Sequence, residues 1–168
     1  MPITLTGPSS LSGPMSFVAG AAGGAVSAPP AWSGSSAGTD AYYIGISTSI
    51  TILFNSDGTI SDDAGGFGGG QLTRWFTGTP TASDYEIQFI YTVASTDGTH
   101  TTTVGPVGSA TSLAASTTSS WFNLANNIQL KNLQVTGTTT VIDCTVTIRQ
   151  VSVPANSITK LFTLDHAA

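Results

Sequence analysis

The segment Ser83–Val93, SDYEIQFIYTV, carries the strongest structural signal in this sequence. Every second residue from Tyr85 to Val93 is large and apolar, and the residues between them are polar except Ile90. Successive side chains of a β-strand point to opposite faces of a sheet, so the pattern predicts one buried and one solvent-facing side. Aromatic and β-branched residues favour such a half-buried surface. We therefore predict a central antiparallel strand here.

Similar alternation recurs along the chain, with turn residues between the runs. Val141–Arg149 alternates apolar and polar residues, and Pro154–Ser157 separates it from another apolar run at Ile158–Leu164. Asn55–Thr59 reads NSDGT, a hairpin signal of the Asp-Gly type. No long segment keeps a helical period. We predict an all-β domain over residues 41–168, an antiparallel β-sandwich or jelly-roll-like fold.

Residues 1–40 differ in composition from the rest of the chain. They hold five of the eight prolines and no charged side chain before Asp40. Gly-Pro breaks exclude a stable helix or a long strand, yet the apolar content exceeds that of a solvated linker. We predict an extended, non-helical N-terminal arm that docks on a neighbouring subunit, with a flexible tail as the alternative. The candidate assembly contacts are Leu5, Leu11, Met15, Phe17 and Trp32.

Charged residues are scarce throughout. They make up 8% of the chain, against roughly 25% in typical soluble domains. A soluble monomer usually keeps more surface charge, so we expect neighbours in an assembly to cover much of the surface. The alternative is a monomer kept soluble by its hydroxyl groups. We expect a homo-oligomer, with a trimer as the first candidate.

The charge pattern also bears on other partners. The net charge is −5 and no basic stripe is present, so the chain lacks the electrostatic attraction that nucleic-acid binding requires. No run reaches the roughly 18 apolar residues of a membrane helix. The opening residues MPITLTGPSS lack the positive charge of a secretory signal. We expect neither a nucleic-acid nor a membrane partner.

Clusters of acidic and polar residues predict solvated groups rather than a reactive site. Asp62 and Asp63 lie in a Gly-rich segment, and Asp84 and Glu86 lie on the polar side of the predicted central strand. None has the neighbours that would bury a general acid and keep it protonated. The loop 55–63 has the oxygen density of a calcium site but lacks the bidentate Glu of an EF-hand. A hairpin turn is therefore favoured there over a calcium site.

The remaining reactive side chains are isolated in sequence. His100 and His166 have no partner at the spacing of a metal site or a catalytic triad. Cys144 is the single cysteine, which excludes an intramolecular disulfide. It lies in an apolar alternating row, so we predict a small buried side chain. We predict a protein that is not an enzyme and has no catalytic, cofactor or metal site.

Aromatic residues in or beside Ser/Thr-rich loops leave two interpretations open. These residues are Trp32, Phe67, Trp75, Phe76, Trp121 and Phe122. Exposed rings could stack on sugars, which would make a carbohydrate- or receptor-binding module whose partner is a host surface glycan. Their strand-like neighbours favour the other interpretation, in which Trp75 and Trp121 plug the ends of the core.

Several stretches resemble a small β-domain of tailed-bacteriophage virion proteins. They are Phe54–Ile60 (FNSDGTI), Ser83–Phe89 (SDYEIQF), Ser119–Leu124 (SSWFNL) and Cys144–Arg149 (CTVTIR). The Gly-Pro-x-Ser units of the arm resemble the starts of small phage tail and fibre proteins. The resemblance covers about residues 50–151 and departs at 150–152. It implies a structural role in tail, fibre or head decoration, with other virion proteins as partners after synthesis in the host cytoplasm.

Overall fold

The structure is a computed structural model that describes residues 27–45, 48–63 and 72–166. Within these ranges the protein is all-β, without an α-helix and with two short 3-10 turns at Ala82–Asp84 and Leu124–Asn126. None of the described elements is a helix long and apolar enough to cross a membrane. The predicted fold class is confirmed.

Twelve strands lie in the described ranges. In chain order they are β1 (Ser33–Gly34), β2 (Ala41–Gly45), β3 (Ser49–Phe54), β4 (Ile60–Asp62), β5 (Leu72–Arg74), β6 (Tyr85–Thr96), β7 (His100–Pro106), β8 (Thr111–Leu113), β9 (Phe122–Asn123), β10 (Ile128–Gln134), β11 (Thr140–Gln150) and β12 (Ser157–His166). The order β4-β3-β10-β7-β8 forms one sheet, called the β10 sheet below. The order β2-β12-β11-β6-β9 forms the β11 sheet, and β1 pairs with β5 in a short ribbon.

The strand predicted to be central forms as β6 but lies one strand from the edge of its sheet. Tyr85, Ile87, Phe89 and Tyr91 face the core and are at most 5% exposed, whereas Val93 is 36% exposed. β11 occupies the centre of the sheet, because it pairs with β12 on one side and with β6 on the other. The alternating pattern therefore predicted which side of β6 is buried, but not its place in the sheet.

The two hairpins with the clearest turn signals are confirmed. β11 and β12 pair from Thr140↔His166 to Arg149↔Ser157. β3 and β4 pair across the NSDGT turn, where Gly58 has φ +88, a backbone conformation that glycine adopts without strain. One pairing departs from the predicted antiparallel pattern: β2 runs parallel to β12. A parallel pair cannot come from a tight turn, and these two strands are far apart in the chain.

An aromatic cluster centred on Phe162 joins the two sheets. The Phe162 ring stacks on Tyr43 at a centroid distance of 5.9 Å and meets Phe54 edge-on at 5.5 Å. Phe54 in turn meets Phe89 edge-on at 5.9 Å. Phe54 belongs to the β10 sheet and the other three to the β11 sheet. Such offset and edge-to-face contacts add to the free energy gained by burying the rings.

Residues 27–40, called the strap below, are the described part of the predicted arm, and they lie on the sandwich. The side chains of Gln150 and Tyr85 donate hydrogen bonds to the backbone carbonyls of Ser27 and Ala28, at 2.8 and 2.5 Å. The ribbon of β1 with β5 continues the attachment. The strap is non-helical, as predicted. Its partners lie far away in sequence, so local composition could not reveal them.

Lys160 holds the end of the strap. Its side chain is buried, and its Nζ donates to the carbonyls of Ser36, Ala37 and Thr39 at 3.3, 2.8 and 2.5 Å. Buried ammonium groups need such partners, because desolvation of an unpaired charge is costly. The three converging carbonyl dipoles therefore offset the desolvation of the buried ammonium group, and the same hydrogen bonds hold the end of the strap in place. No pattern in the sequence pointed to this role for Lys160.

Replacing Lys160 with Met keeps the buried stem and removes the donors, so we expect the free energy of unfolding to fall by about 1–3 kcal/mol. Urea denaturation measures this change. The matched control is Lys131→Met, compared at a protein concentration low enough to keep both proteins monomeric, because Lys131 makes no hydrogen bond or ion pair with the described residues. The control should change stability by about 0.5 kcal/mol or less. Equal effects of both substitutions would contradict the role given to Lys160.

Cys144 is fully buried in β11, and burial raises the pKa of its thiol well above the ordinary value. We expect Cys144→Ala to lower the free energy of unfolding by about 1 kcal/mol through lost packing, with the fold retained. Denaturation curves measure the cost. A thiol reagent should label the native wild type slowly, and rapid labelling would show that the thiol is accessible.

Candidate functional site

The predicted assembly contacts fall into two groups. Leu5, Leu11, Met15 and Phe17 lie outside the described residues, so their role stays a prediction. Trp32 is described and packs half-buried on its own core, with its ring edge-on to Phe162 at 5.9 Å. The structure thus gives Trp32 a role inside the protomer that the sequence did not reveal. Its contact with a neighbour stays a prediction.

The loop 55–63 forms the predicted turn by bonding to itself. The N–H of Gly58 donates to the Asn55 carbonyl at 3.0 Å. The Asp57 carboxylate accepts from the hydroxyl and the N–H of Thr59 at 2.6 and 2.9 Å, and these bonds lower the pKa of Asp57. No group of three or more His, Cys, Asp or Glu side chains is placed to hold a metal ion in the described parts of the chain.

The two tryptophans predicted to plug the core have different environments. Trp75 is fully buried, and its indole N–H donates to the Asn55 carbonyl at 2.8 Å, so that prediction is confirmed. Trp121 is only half-buried, and the Arg149 guanidinium lies over its ring, 3.8 Å from the centroid. Arg149 also bonds to Glu86 at 2.6 Å. Trp121 therefore lies against the outer side of the β11 sheet, and the prediction that it plugs the core is wrong.

Both histidines of the chain meet at one buried asparagine. Asn132 of β10 is fully buried, and its Oδ1 lies 2.8 Å from His166 Nε2, on the opposite sheet. Its Nδ2 lies 3.2 Å from His100 Nδ1 and 2.9 Å from the Thr102 hydroxyl. The histidines look isolated in the sequence, because Asn132 lies 32 and 34 residues away from them. The signal in the sequence that could have indicated this cluster is Asn132 itself, a polar residue in the buried row of β10.

The hydrogen-bond chemistry of Asn132 assigns the protonation of both rings. An amide nitrogen only donates and an amide oxygen only accepts. His100 Nδ1 must therefore be an unprotonated acceptor, and His166 Nε2 must carry a hydrogen. Burial, together with the nearby His166, lowers the pKa of His100 below its ordinary value. We interpret the cluster as a structural network across the core, since His166 is 1% exposed and a substrate could not reach it.

The outer face of the β10 sheet carries a shallow groove of about 370 Å³. Its lining residues are Thr101, Thr103, Gln129, Lys131 and Leu133, with Gly108 and Ala110. Lys131 is the charged residue of this lining, and the residues paired with it on the neighbouring strands are Thr51 and Thr103. We call this surface the lysine groove. It offers hydroxyl, amide and ammonium groups beside the apolar Leu133.

The outer face of the β11 sheet carries two carboxylates that bond to hydroxyl groups. Asp143 accepts from Thr163 at 2.6 Å, and Asp165 accepts from the Tyr42 hydroxyl. The hydrogen bond to Asp165, with burial and the Asp165 charge, raises the pKa of Tyr42 to about 12. We call Asp143, Asp165 and Leu161 the acidic patch. Its carboxylates have no cationic partner among the described residues.

Comparison with known proteins finds no matching family model, no matching curated protein and no matching solved structure. The resemblance of the sequence motifs to phage virion proteins therefore stays a prediction from the sequence. The geometry of the strap and of the two outer faces is what supports a proposed function for this chain.

The neutral state of His100 makes the fold sensitive to acid. A folded-state pKa below the ordinary 6.5 means that the unfolded chain binds the proton more readily. The contribution of His100 to stability is therefore complete above its ordinary pKa and is lost as the pH falls through the lowered one. We expect the free energy of unfolding to fall from about pH 7.5 to about pH 5.

The matched variant is His100→Asn, whose Oδ1 can replace Nδ1 as an acceptor but cannot titrate. The stability of the wild type should fall more steeply with acid than that of the variant, in denaturation series at each pH. Parallel curves for the two proteins would show that His100 does not titrate in this range.

Proposed function

We propose that this chain is a non-enzymatic structural protein of a tailed-bacteriophage virion that assembles with copies of itself and with neighbouring tail or capsid proteins. The observation that carries the proposal is a charge-poor β-sandwich whose outer faces present mainly hydroxyl, amide and apolar groups, with few charges. Among the described residues one ion pair is formed, between Arg149 and Glu86. Such faces are suited to burial against other subunits, because few charges must be desolvated.

Exposed apolar side chains support assembly. The large ones are Tyr42, Ile90, Val93, Val107, Leu133, Val135 and Val151, and their exposed fractions run from 36% to 56%. Single exposed apolar residues are ordinary, but here they accompany a surface with little charge. Their burial at contacts would contribute about 25 cal/mol for each Å² of apolar surface removed from water.

The strap supports the docking role proposed for residues 1–26. It attaches residue 27 beside Gln150 and Tyr85, at one end of β6 and β11, so this end of the sandwich is where residues 1–26 join the described domain. Burying Leu5, Leu11, Met15 and Phe17 on a neighbour would contribute about 6–12 kcal/mol before costs. Ordering 26 backbone residues costs more than this, roughly 1–2 kcal/mol each. Docking therefore has to be coupled to other contacts of the assembly.

The alternative, a receptor- or carbohydrate-binding module using aromatic loops, has less support. Trp75 and Phe76 are buried, and one face of the Trp121 ring stacks on Arg149. Phe67 lies outside the described residues. The described aromatic residues thus offer few free ring faces for stacking on a sugar.

The assembly role predicts different outcomes for two truncations. Deleting residues 1–26 should leave the melting temperature within about 2 °C of the wild type and abolish incorporation into particles. Deleting residues 1–40 also removes the strap and the Trp32 packing, so it should lower the melting temperature by about 5 °C or more. Thermal scans measure the first property, and mass spectrometry of purified particles measures the second.

Gold-labelled antibody against the full-length chain should decorate intact virions, which tests the location directly. Absence of the wild-type chain from purified particles would refute the proposed function. Unfolding of the protein that lacks residues 1–26 would show that this segment belongs to the domain's own core.

A further inference from the structure

The two outer faces of the sandwich carry charges of opposite sign that form no ion pair with other described residues: Lys131 on one face, and Asp143 and Asp165 on the other. All Lys, Arg, Asp and Glu residues of the chain lie in the described ranges. The ion pair formed among them joins Arg149 to Glu86, near the end of β11, whereas Asp143 of the acidic patch lies near the start of that strand. Lys131 in the lysine groove and the carboxylates of the acidic patch have no partner of opposite charge in the part of the chain that the structure describes.

Lys131 is placed to meet a carboxylate from outside the protomer. It occupies an outward position at the middle of β10, and its strand neighbours Thr51 and Thr103 carry no charge. Asp63 lies on the far side of Thr51 from Lys131. Its carboxylate accepts the backbone N–H of Thr51 at 2.5 Å and forms no ion pair with Lys131. Leu133 beside Lys131 is 37% exposed, so the groove also offers apolar surface to bury.

The acidic patch has the matching chemistry on the opposite side of the molecule. Asp143 of β11 lies opposite Thr163 of β12, and Asp165 lies two residues further along the same strand. Both carboxylates are therefore on one face and close to each other. Leu161 shares that face and supplies apolar surface, as Leu133 does in the lysine groove. Hydroxyl groups hold both carboxylates in position without neutralising them.

We infer that the lysine groove of one copy binds the acidic patch of the next, so that sandwiches stack face to face. This inference rests on the proposed assembly function and names one of its contacts. A second copy is the occupant that the charges favour, since each half of the complementary pair occurs on every chain. Because the two surfaces differ, the contact is heterologous, and repeating it gives a ring or an open stack rather than a closed twofold dimer.

Charge reversal with cross-complementation tests this contact. Sedimentation equilibrium at low salt measures self-association of the wild type, Lys131→Glu and Asp143→Lys. Each reversal should weaken the association constant about tenfold or more, because like charges then face each other. An equimolar mixture of the two variants should recover association, since the reversed groove of one variant matches the reversed patch of the other. Association of the wild type should also weaken with added salt.

Two double variants control for net charge. Ala115→Glu/Ala155→Glu and Ala115→Lys/Ala155→Lys change net charge by the same amounts at exposed turn positions and should associate like the wild type. Denaturation curves of every variant show that it is folded. A wild type that stays monomeric, reversals without effect, or a mixture that stays dissociated would each overturn the inference.

Different measurements test the stacking contact and the virion role, so either one can fail without the other. If the chain is present in purified virions but charge reversal changes neither self-association nor incorporation, this contact is wrong and the virion role stands. If the charge pairing is confirmed but the chain is absent from virions, the contact stands and the virion role is wrong.

Discussion

The packing of the Phe162 ring is the contact on which the rest of the structure depends. It meets Phe54 from the opposite sheet, Tyr43 from the parallel edge strand and Trp32 from the strap. Trp32, Tyr43 and Phe54 lie in the first third of the chain and Phe162 lies near its end, so their contact closes long loops of chain. The cost of closing loops rises only slowly with their length, and burial of large rings can offset it. The Phe162 ring therefore contacts the opposite sheet, the parallel edge strand and the strap at one place in the core.

Polar groups complete this core at two positions where apolar packing stops. Lys160 lies in the buried row of β12, and its Nζ donates hydrogen bonds to carbonyls of the strap. Asn132 lies in the buried row of β10, and its side chain forms hydrogen bonds with two histidines. Each would be costly if left unpaired, because a buried polar group loses its hydrogen bonds to water. Their partners come from other strands or from the strap. The two networks thus specify how separate elements fit together, beyond the general attraction of apolar surfaces.

The surface follows a different principle. On the outer faces, threonine, glutamine and serine take the places that charged residues occupy in most soluble domains, and pairs such as Thr147 with Thr159 bond to each other at 3.1 Å. A face of this kind loses little solvation energy when another subunit covers it. The few charges that remain can then decide the orientation of a contact, since electrostatic complementarity contributes more to specificity than to affinity. The proposed virion role and the proposed stacking both depend on this property.

The sequence by itself determined the features that depend on neighbours in the chain. Alternation along β6 and β11, the Asp-Gly turn and the row containing Cys144 are local patterns, and each predicted the correct strand, turn or buried side. Tertiary structure alone decided the parallel pairing of β2 with β12, the attachment of the strap and the meeting of His100 with His166. Side-chain alternation states which face of a strand is buried but not which strand lies beside it, because pairing is chosen by contacts between residues many positions apart.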